Sequence, residues 1–424
     1  MKILVLSPYP PYPPRGGGAM RIYQIVRWLA QRHAVTCLTF APDDTSEAAL
    51  APLRDLCHLI AVRGPAGRSM LHRAWTTIVS PLPDMALRNV SPAYRAAVQS
   101  LLAREEFDVV QAESIELAAY LHAAGHQYAT IGARRRRPLL VLDQFNAEYV
   151  LQKRAALTDL RAAVGLARPG TMARRIAGGI YSTVQWLKLA RYERQAMQAC
   201  DVTVAVSDED RRALERLGVT VRCAIVPNGV DVAHFSRTAL AVERSGPLAF
   251  GAPTLVFSGT LDFRPNIDAL AWFAEAVLPL IRTKRPDTRL LAVGRRPALA
   301  LQRLAAQGAL TLTGEVADAR PYIAAATVYV VPMRIGGGIR LKLLEALSLE
   351  APTVSTSLGA EGVAGLCDGV HCLLADTPHQ FAAAVLRLLD DPVFGGQLGA
   401  AGRDLVRARY DWASIVPRLE AAYQ

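Results

Sequence analysis

At 424 residues, with 51% hydrophobic and 20% charged side chains, the chain carries enough apolar surface for two or three packed cores and too little charge to remain disordered. No apolar run approaches the ~20 residues a spanning helix needs, and the six scattered cysteines form no CxxC pair. Cys367 and Cys372 with His371 would give at most three metal ligands, and ordinary buried thiols are the leading reading. The net charge of +11 asks for an acidic partner or surface, yet no nucleic-acid module or basic-aromatic repeat accompanies it.

The opening MKILVLSPYP is too short for a signal peptide, and prolines follow where cleavage needs small residues. Ile3–Ser7 reads as a first buried strand, and the expectation is a cytoplasmic protein. Pro8–Gly18 reads PYPPYPPRGGG. Its prolines stiffen the link, and Gly16, Gly17 and Gly18 allow the backbone to approach a ligand closely. The spacing is not the dinucleotide GxGxxG, and a plain flexible turn is the competing reading. A helix from about Ala19 to Arg32 and a strand at Ala34–Phe40 follow, then strand-like runs at Leu59–Val62, Val109–Ala112 and Leu139–Leu142. Gln111 and Glu113 close the second of these runs. After the third, Asn146 and Glu148 either line a site or cap the next helix.

Lys153–Arg194 reads as helical and holds nine Lys or Arg against two acids. Ile176, Ile180, Val184 and Leu187 form a stripe at helical spacing, near Tyr181 and Trp186. Core packing leads for the stripe, while the charge suits an anionic membrane surface. Asp201–Val206 is a strand and Ser207 an N-cap. Asp208-Glu209-Asp210, the only Asp-x-Asp triplet, fits the helix start that follows.

A turn at Pro227–Asp231 and a small, polar segment at Arg237–Pro253 precede a second α/β alternation. Thr254–Ser258 is its first strand. Gly259 and Thr260 open a loop through Asp262, Arg264 and Asn266, and strands at Leu290–Gly294 and Leu310–Thr313 lead to Gly314, Glu315 and Val316. The stretch Val330–Thr356 reads VVPMRIGGGIRLKLLEALSLEAPTVST. Strand Val328–Pro332, glycines Gly336, Gly337 and Gly338, and a helix from near Ile339 make a strand-turn-helix. Ile339, Leu343 and Leu347 share one face, and Lys342 and Glu345 share another. Free N–H groups and the dipole of such a helix start hold phosphate, and Arg340, placed in the first turn, adds a forked cation. An ordinary glycine turn with a solvated Lys342–Glu345 pair competes with this. A returning strand at Ala351–Ser355 completes a βαβ unit, whose ligand sites lie beyond the carboxyl ends of the strands.

These residues resemble the family-4 glycosyltransferases, nucleotide-sugar-dependent retaining enzymes of glycosyltransferase-B architecture. The family's two glutamates, with seven residues between them, fall on Gly337 and Glu345. The first is thus absent, and the chain looks like the branch with a Gly-Gly-Gly-x-Arg donor loop. The resemblance covers nearly the whole chain and is strongest in Pro227–Asp231 and Gly314–Glu361. It implies an α/β fold of two Rossmann-like domains facing a central cleft. The acceptor domain would span 1–236, a linker 237–253 and the nucleotide-sugar domain 254–408, with a terminal helix, 409–424, returning to the first.

The resemblance also implies transfer of a hexose, with retention, from a UDP- or GDP-linked sugar to a glycan or lipid-linked acceptor, in cell-envelope or exopolysaccharide synthesis. Glu345 would hold the ribose hydroxyls. Arg340, Lys342 and the loop from Gly336 to Ile339 would hold the departing diphosphate, and Gly259, Thr260, Arg264 and Asn266 would also contact the donor. Many relatives keep both an Arg and a Lys in that last loop, where this chain has only Arg264. Gly314, Glu315 and Val316 would meet the base through their backbone. Arg15, Gly16, Gly17 and Gly18, with Asn146 and Glu148, would form the acceptor side. Phe145 stands where the family often has His, which weakens acid/base chemistry there; the resemblance implies that the leaving phosphate would take the acceptor proton, with no side chain as catalytic base. No cofactor and no metal are expected, because the Asp-x-Asp triplet falls in the acceptor half. A lipid-linked acceptor would give Lys153–Arg194 a reason to dock on the inner face of a membrane. A nucleotide-sugar epimerase of the same fold, or a non-catalytic basic protein on nucleic acid, is the alternative.

Overall fold

The computed structural model describes residues 1–14, 16–65, 67–131, 136–163, 169–243 and 252–424. Short apolar strands alternate with helices throughout, and every named strand pairing is parallel. The first unit, Met1–Pro227 with Val416–Gln424, contains β1 (Lys2–Ser7), β2 (Ala34–Ala41), β3 (His58–Arg63), β4 (Val109–Glu113), β5 (Leu139–Asp143), β6 (Val202–Ala205) and β7 (Arg222–Ile225). They form one sheet in the order β3-β2-β1-β4-β5-β6-β7. The second unit, Asn228–Ile415, contains β8 (Thr254–Ser258), β9 (Arg289–Val293), β10 (Thr311–Leu312), β11 (Val328–Val331), β12 (Thr353–Ser355) and β13 (Leu373–Leu374). Their order is β10-β9-β8-β11-β12-β13. The central strands are continuous apolar runs because helices cover both faces, and Ile3, Leu4, Val5 and Leu6 are fully buried. In each sheet the order reverses beside the first strand, at β1/β4 and at β8/β11. Such a switch point is where a doubly wound sheet binds its ligand.

Several helices differ from the sequence reading. The first runs Gly17–Leu29, two residues earlier than expected, with Gly16 at its N-cap in a left-handed conformation (φ 99°). Gly17 and Gly18 are therefore helical, and only Gly16 needs the freedom of glycine. The Leu341–Ser348 helix starts later than expected, with Arg340 at the N-cap (φ −86°, ψ 99°) rather than in the first turn. Gly336 and Gly338 have φ of 117° and 71°, so the chain bends through this loop instead of coiling. Ile339 is still buried, which is why its spacing mimics a helical position. Arg237–Glu243, read as linker, is a helix.

The basic region forms two helices, Glu148–Ala163 and Pro169–Gln198. Core packing does not account for its apolar stripe. Ile176, Ile180 and Leu187 are 38%, 58% and 60% exposed. The inward face is made instead by Ser182, Gln185, Leu189, Glu193 and Ala196, all buried, so the face that packs is the less apolar one. Among the described residues no helix is long and apolar enough to cross a membrane.

Candidate functional site

At the second unit's switch point β8 ends in a buried hydroxyl pair, Ser258 Oγ to Tyr329 Oη at 2.6 Å, which ties β8 to β11. Gly259 follows with φ 146°, and any side chain there would meet Asn266 Nδ2 and Lys342 Nζ, both at 2.9 Å. Gly294, just past β9, packs on the Gly259 carbonyl so closely that a Cβ would lie 1.8 Å from its oxygen. It also forms an antiparallel bridge with Gly314. Three glycines thus bring the ends of β8, β9 and β10 into backbone contact.

Against this floor, Asn266 Nδ2 donates to the Thr260 carbonyl (2.8 Å), and Asn266 Oδ1 accepts from Lys342 Nζ (2.9 Å). The same ammonium sits 3.8 Å from the centroid of the Phe257 ring, a favourable cation–π distance. Burial pushes the Lys342 amine down to about 7, with Arg340 adding to the effect and Glu345 opposing it. Burial pushes the Glu345 carboxyl up to about 7, opposed by Lys342. Both side chains are half-buried, so the solvated-pair reading does not hold. Arg340 Nη1 donates to the carbonyls of Gly337 and, at 3.1 Å, Gly338. The guanidinium thus braces the glycine loop at the start of the helix, where the first backbone N–H groups have no intrahelical partner.

Gly259, Thr260, Asn266, Lys342 and Gly314 are therefore gathered at the ends of adjacent strands. Arg264 is exposed at the first position of its helix (Arg264–Trp272), Glu315 is exposed, and Val316 is half-buried. Sequence reasoning found no lysine in the loop from Gly259 to Asn266. The structure supplies one from Lys342, 76 residues away. Phe257, Gly294 and Tyr329 were missed, and only the adjacency of β8 with β9 and β11 brings them in.

In the first unit, a cavity of about 740 Å³ lies against Tyr9, Tyr12, Gly16, Gly17, Gly18 and Ser46. A Cβ on Gly18 would fall 1.9 Å from Tyr9 Oη and 3.0 Å from the Phe145 ring, so this glycine is a requirement of packing. Arg15 lies outside the described residues. Asn146 Nδ2 donates to Glu148 Oε1 at 3.1 Å, but neither side chain caps the following helix. That task falls to buried Glu193, whose two oxygens accept from the N–H groups of Glu148 (2.9 Å) and Tyr149 (3.1 Å). Burial raises Glu148 to about 7 and Glu193 to about 8.

Beneath the sheet's carboxyl edge, Arg21 pairs with Asp143 through two 2.9 Å bonds and donates to the Pro227 carbonyl at 3.1 Å. Gln111 Nε2 donates to Glu113 Oε1 at 2.6 Å, and Tyr423 Oη donates to Gln111 Oε1 at 2.6 Å. Burial, then the Asp143 charge, hold Glu113 well above the ordinary carboxyl range. The Asp208–Asp210 acids are engaged at a helix start: Asp208 pairs with Arg211 and Arg212, and Asp210 accepts from the Ala147 N–H. Among the described residues no three His, Cys, Asp or Glu converge as a metal site.

Two doubly wound parallel sheets, each with its site at the switch point, define the glycosyltransferase-B architecture. Solved structures agree over the whole chain. Sucrose-phosphate synthase from Thermosynechococcus elongatus superposes with a TM-score of 0.68 at 16% identity, covering 100% of this chain and 98% of that one. Anabaena HepE in complex with UDP-glucose gives 0.63 at 14% identity, covering 99% and 98%. The sequence pattern described as Glycosyltransferase Family 4 matches residues 15–234, and that of Glycosyl transferases group 1 matches 252–391. The chain belongs to glycosyltransferase family 4.

A GDP-mannose-dependent monoacylated alpha-(1-6)-phosphatidylinositol monomannoside mannosyltransferase of Corynebacterium glutamicum is 29% identical over 46% of this chain and 54% of its own length. A 44.6 kDa protein from the cps region of Klebsiella pneumoniae is 22% identical over 91% of this chain and 90% of its own. The match spans about half the length of the mannosyltransferase relatives.

Proposed function

We propose that this chain transfers a hexose, with retention, from a UDP- or GDP-linked sugar to a glycan or lipid-linked acceptor in envelope or exopolysaccharide synthesis. The observation that carries the reading is Lys342. Its ammonium lies against Asn266, over Phe257 and beside Gly259, at a switch point next to a helix start. A diphosphate there meets the Lys342 and Arg340 cations, the glycine loop that Arg340 braces and free backbone N–H groups. As the glycosidic bond breaks, negative charge grows on the leaving phosphate, and donors fixed in advance stabilise it. In this reading Glu345 holds the ribose hydroxyls, the backbone of Gly314–Val316 meets the base, and the cavity at Gly16–Gly18 holds the acceptor. Lys342, Arg340 and the helix start supply the positive charge, so no metal or other cofactor is required.

Relatives named for GDP-mannose and a neighbour solved with UDP-glucose support a nucleotide-sugar and leave both bases in the test. The excess of basic residues in Lys153–Arg194 supports docking on an anionic membrane, where a lipid-linked acceptor resides.

A thermal-shift panel of UDP- and GDP-sugars, with and without a chelator, tests the reading. One donor at 100 times its dissociation constant is expected to stabilise by about 2.7 kcal/mol, with the chelator making no difference. If no nucleotide-sugar shifts the melt and no labelled sugar reaches an acceptor, the proposal fails. Stabilisation lost on chelation would overturn the metal-free part alone.

A further inference from the structure

The Met70–Val79 helix is amphipathic in the reverse sense. A helix of a folded protein ordinarily lays its apolar face on the core, but here the polar residues grip the protein. Arg73 Nη2 donates to Asp84 Oδ2 at 2.9 Å, and Gln185 Nε2 donates to Thr77 Oγ1 at 3.2 Å. Lys188 Nζ donates to the carbonyls of Thr77 and Ser80, both at 2.6 Å. Burial works against ionisation of Asp84, yet Arg73, Arg88 and Arg68 outweigh it and hold that carboxyl below its ordinary value. The clasp is therefore fixed by charge. Met70, Leu71, Trp75, Ile78 and Val79 are left between 52% and 84% exposed, and at ~100° per residue they cover about half the helix circumference.

The neighbouring Pro169–Gln198 helix extends this surface. Gln185 and Lys188 are among its contacts to the Met70–Val79 helix. Roughly a third of a turn away, Ile176, Ile180, Leu187, Arg191 and Arg194 fall within an arc of about 60°, and all five are exposed. The apolar stripe thus ends in two arginines. No acidic residue occurs between Leu56 and Pro83, so nothing on the reversed helix opposes an anionic surface.

We infer that the Met70–Val79 helix inserts its apolar face into the acyl region of a bilayer, while the basic residues of the adjoining helix contact anionic headgroups. An exposed apolar helix face with exposed Arg on the adjoining helix is what an interfacial element presents to lipid, and large apolar side chains exposed together on one face mark a docking site. A second copy of the chain fits less well, since a two-fold contact sets each face against itself and brings the like-charged rims together. This inference rests on the membrane docking proposed above and deepens it from attraction to insertion.

The test uses the full-length protein with phosphatidylcholine vesicles, with and without phosphatidylglycerol, at low and high salt. Leu71→Ser/Ile78→Ser alters two residues 84% and 80% exposed, and an unchanged melt confirms its fold. Wild type is expected to float with anionic vesicles and to remain partly bound at high salt. Brominated lipid is expected to quench fluorescence in wild type more than in Trp75→Phe. The Ser variant loses about tenfold or more in partitioning and floats only at low salt. Arg191→Glu/Arg194→Glu weakens low-salt binding and leaves the Trp75 signal in whatever remains bound. Binding wholly released by salt, with no Trp75-dependent quenching, overturns insertion and leaves electrostatic docking standing. Absence of binding under every condition overturns both. A dimer in sedimentation that the Ser variant dissociates assigns the face to a second copy and overturns the inference.

Discussion

Replacing Glu345 with Gln is expected to stabilise the unliganded protein at neutral pH while abolishing its response to nucleotide-sugars. Burial raises this carboxyl from its ordinary 4.5 to about 7. Between those two values the native state retains a proton that the unfolded chain has already released. Unfolding free energy therefore falls as pH rises across that window, and the cost is fully present above 7. A displacement of this size is worth about 3 kcal/mol at ~1.4 kcal/mol per tenfold. Part of it is returned by the substitution itself. Lys342, three residues earlier and titrating near the same pH, loses its counter-charge when Glu345 becomes neutral. A net gain of about 1 kcal/mol is expected, or ~2–4 °C in melting temperature for units of this size. Melts from about pH 5 to pH 8 measure it. The gap between variant and wild type should be small at the acid end, widen up to about 7 and then stay level. Donor sugar should raise the melt of the wild type alone. A variant that melts lower than wild type at neutral pH, or a gap indifferent to pH, would refute the burial argument. Undiminished stabilisation by donor in the variant would remove Glu345 from the site.

Arg340→Ala should lower kcat by ~10²–10³ and by a larger factor than it raises the donor KM, because its cation acts mostly on charge that develops in the transition state. Equal effects on both would make it a ground-state anchor. Lys342, held near 7 by burial, should take up close to one proton per donor bound at about pH 8, since an arriving diphosphate favours the ammonium. Titration calorimetry in buffers of different ionisation enthalpy reads this directly, and heats independent of the buffer would show that its protonation does not change.

The sheets were legible because a parallel strand buried on both faces is written as an unbroken apolar run. Ile3–Ser7, Val109–Ala112, Thr254–Ser258 and Val328–Pro332 all became strands within a residue or two. Glycine positions were legible for the same local reason, since Gly16, Gly259 and Gly336 adopt backbone angles that other residues rarely tolerate. Misreadings arose where a periodic pattern had two physical origins. Ile339 keeps helical spacing with Leu343 and Leu347 although it precedes the helix, because a loop residue can fill the same core. The stripe at Ile176, Ile180 and Leu187 showed one face of a helix but not which face packs. The inward face includes Gln185 and Glu193, whose polar groups find partners only in the tertiary structure. The cap on Glu148 comes from Glu193, 45 residues on, and no spacing rule reaches that far.

The Lys342–Asn266 contact belongs to the same class and bears on the proposed chemistry. A lysine within the Gly259–Asn266 loop would sit at the exposed end of a helix, hydrated and permanently charged. Lys342 reaches the same place from the Leu341–Ser348 helix, and its stem is held among buried groups over Phe257. That burial lowers its affinity for a proton, so near neutral pH only part of the population carries the ammonium beside Arg340. On the proposed reading, an arriving diphosphate favours the protonated form and completes the charge on Lys342. On the proposed reading, ordinary phosphates in solution compete weakly, because each must bear the cost of protonating a buried amine without the sugar and base contacts that offset it.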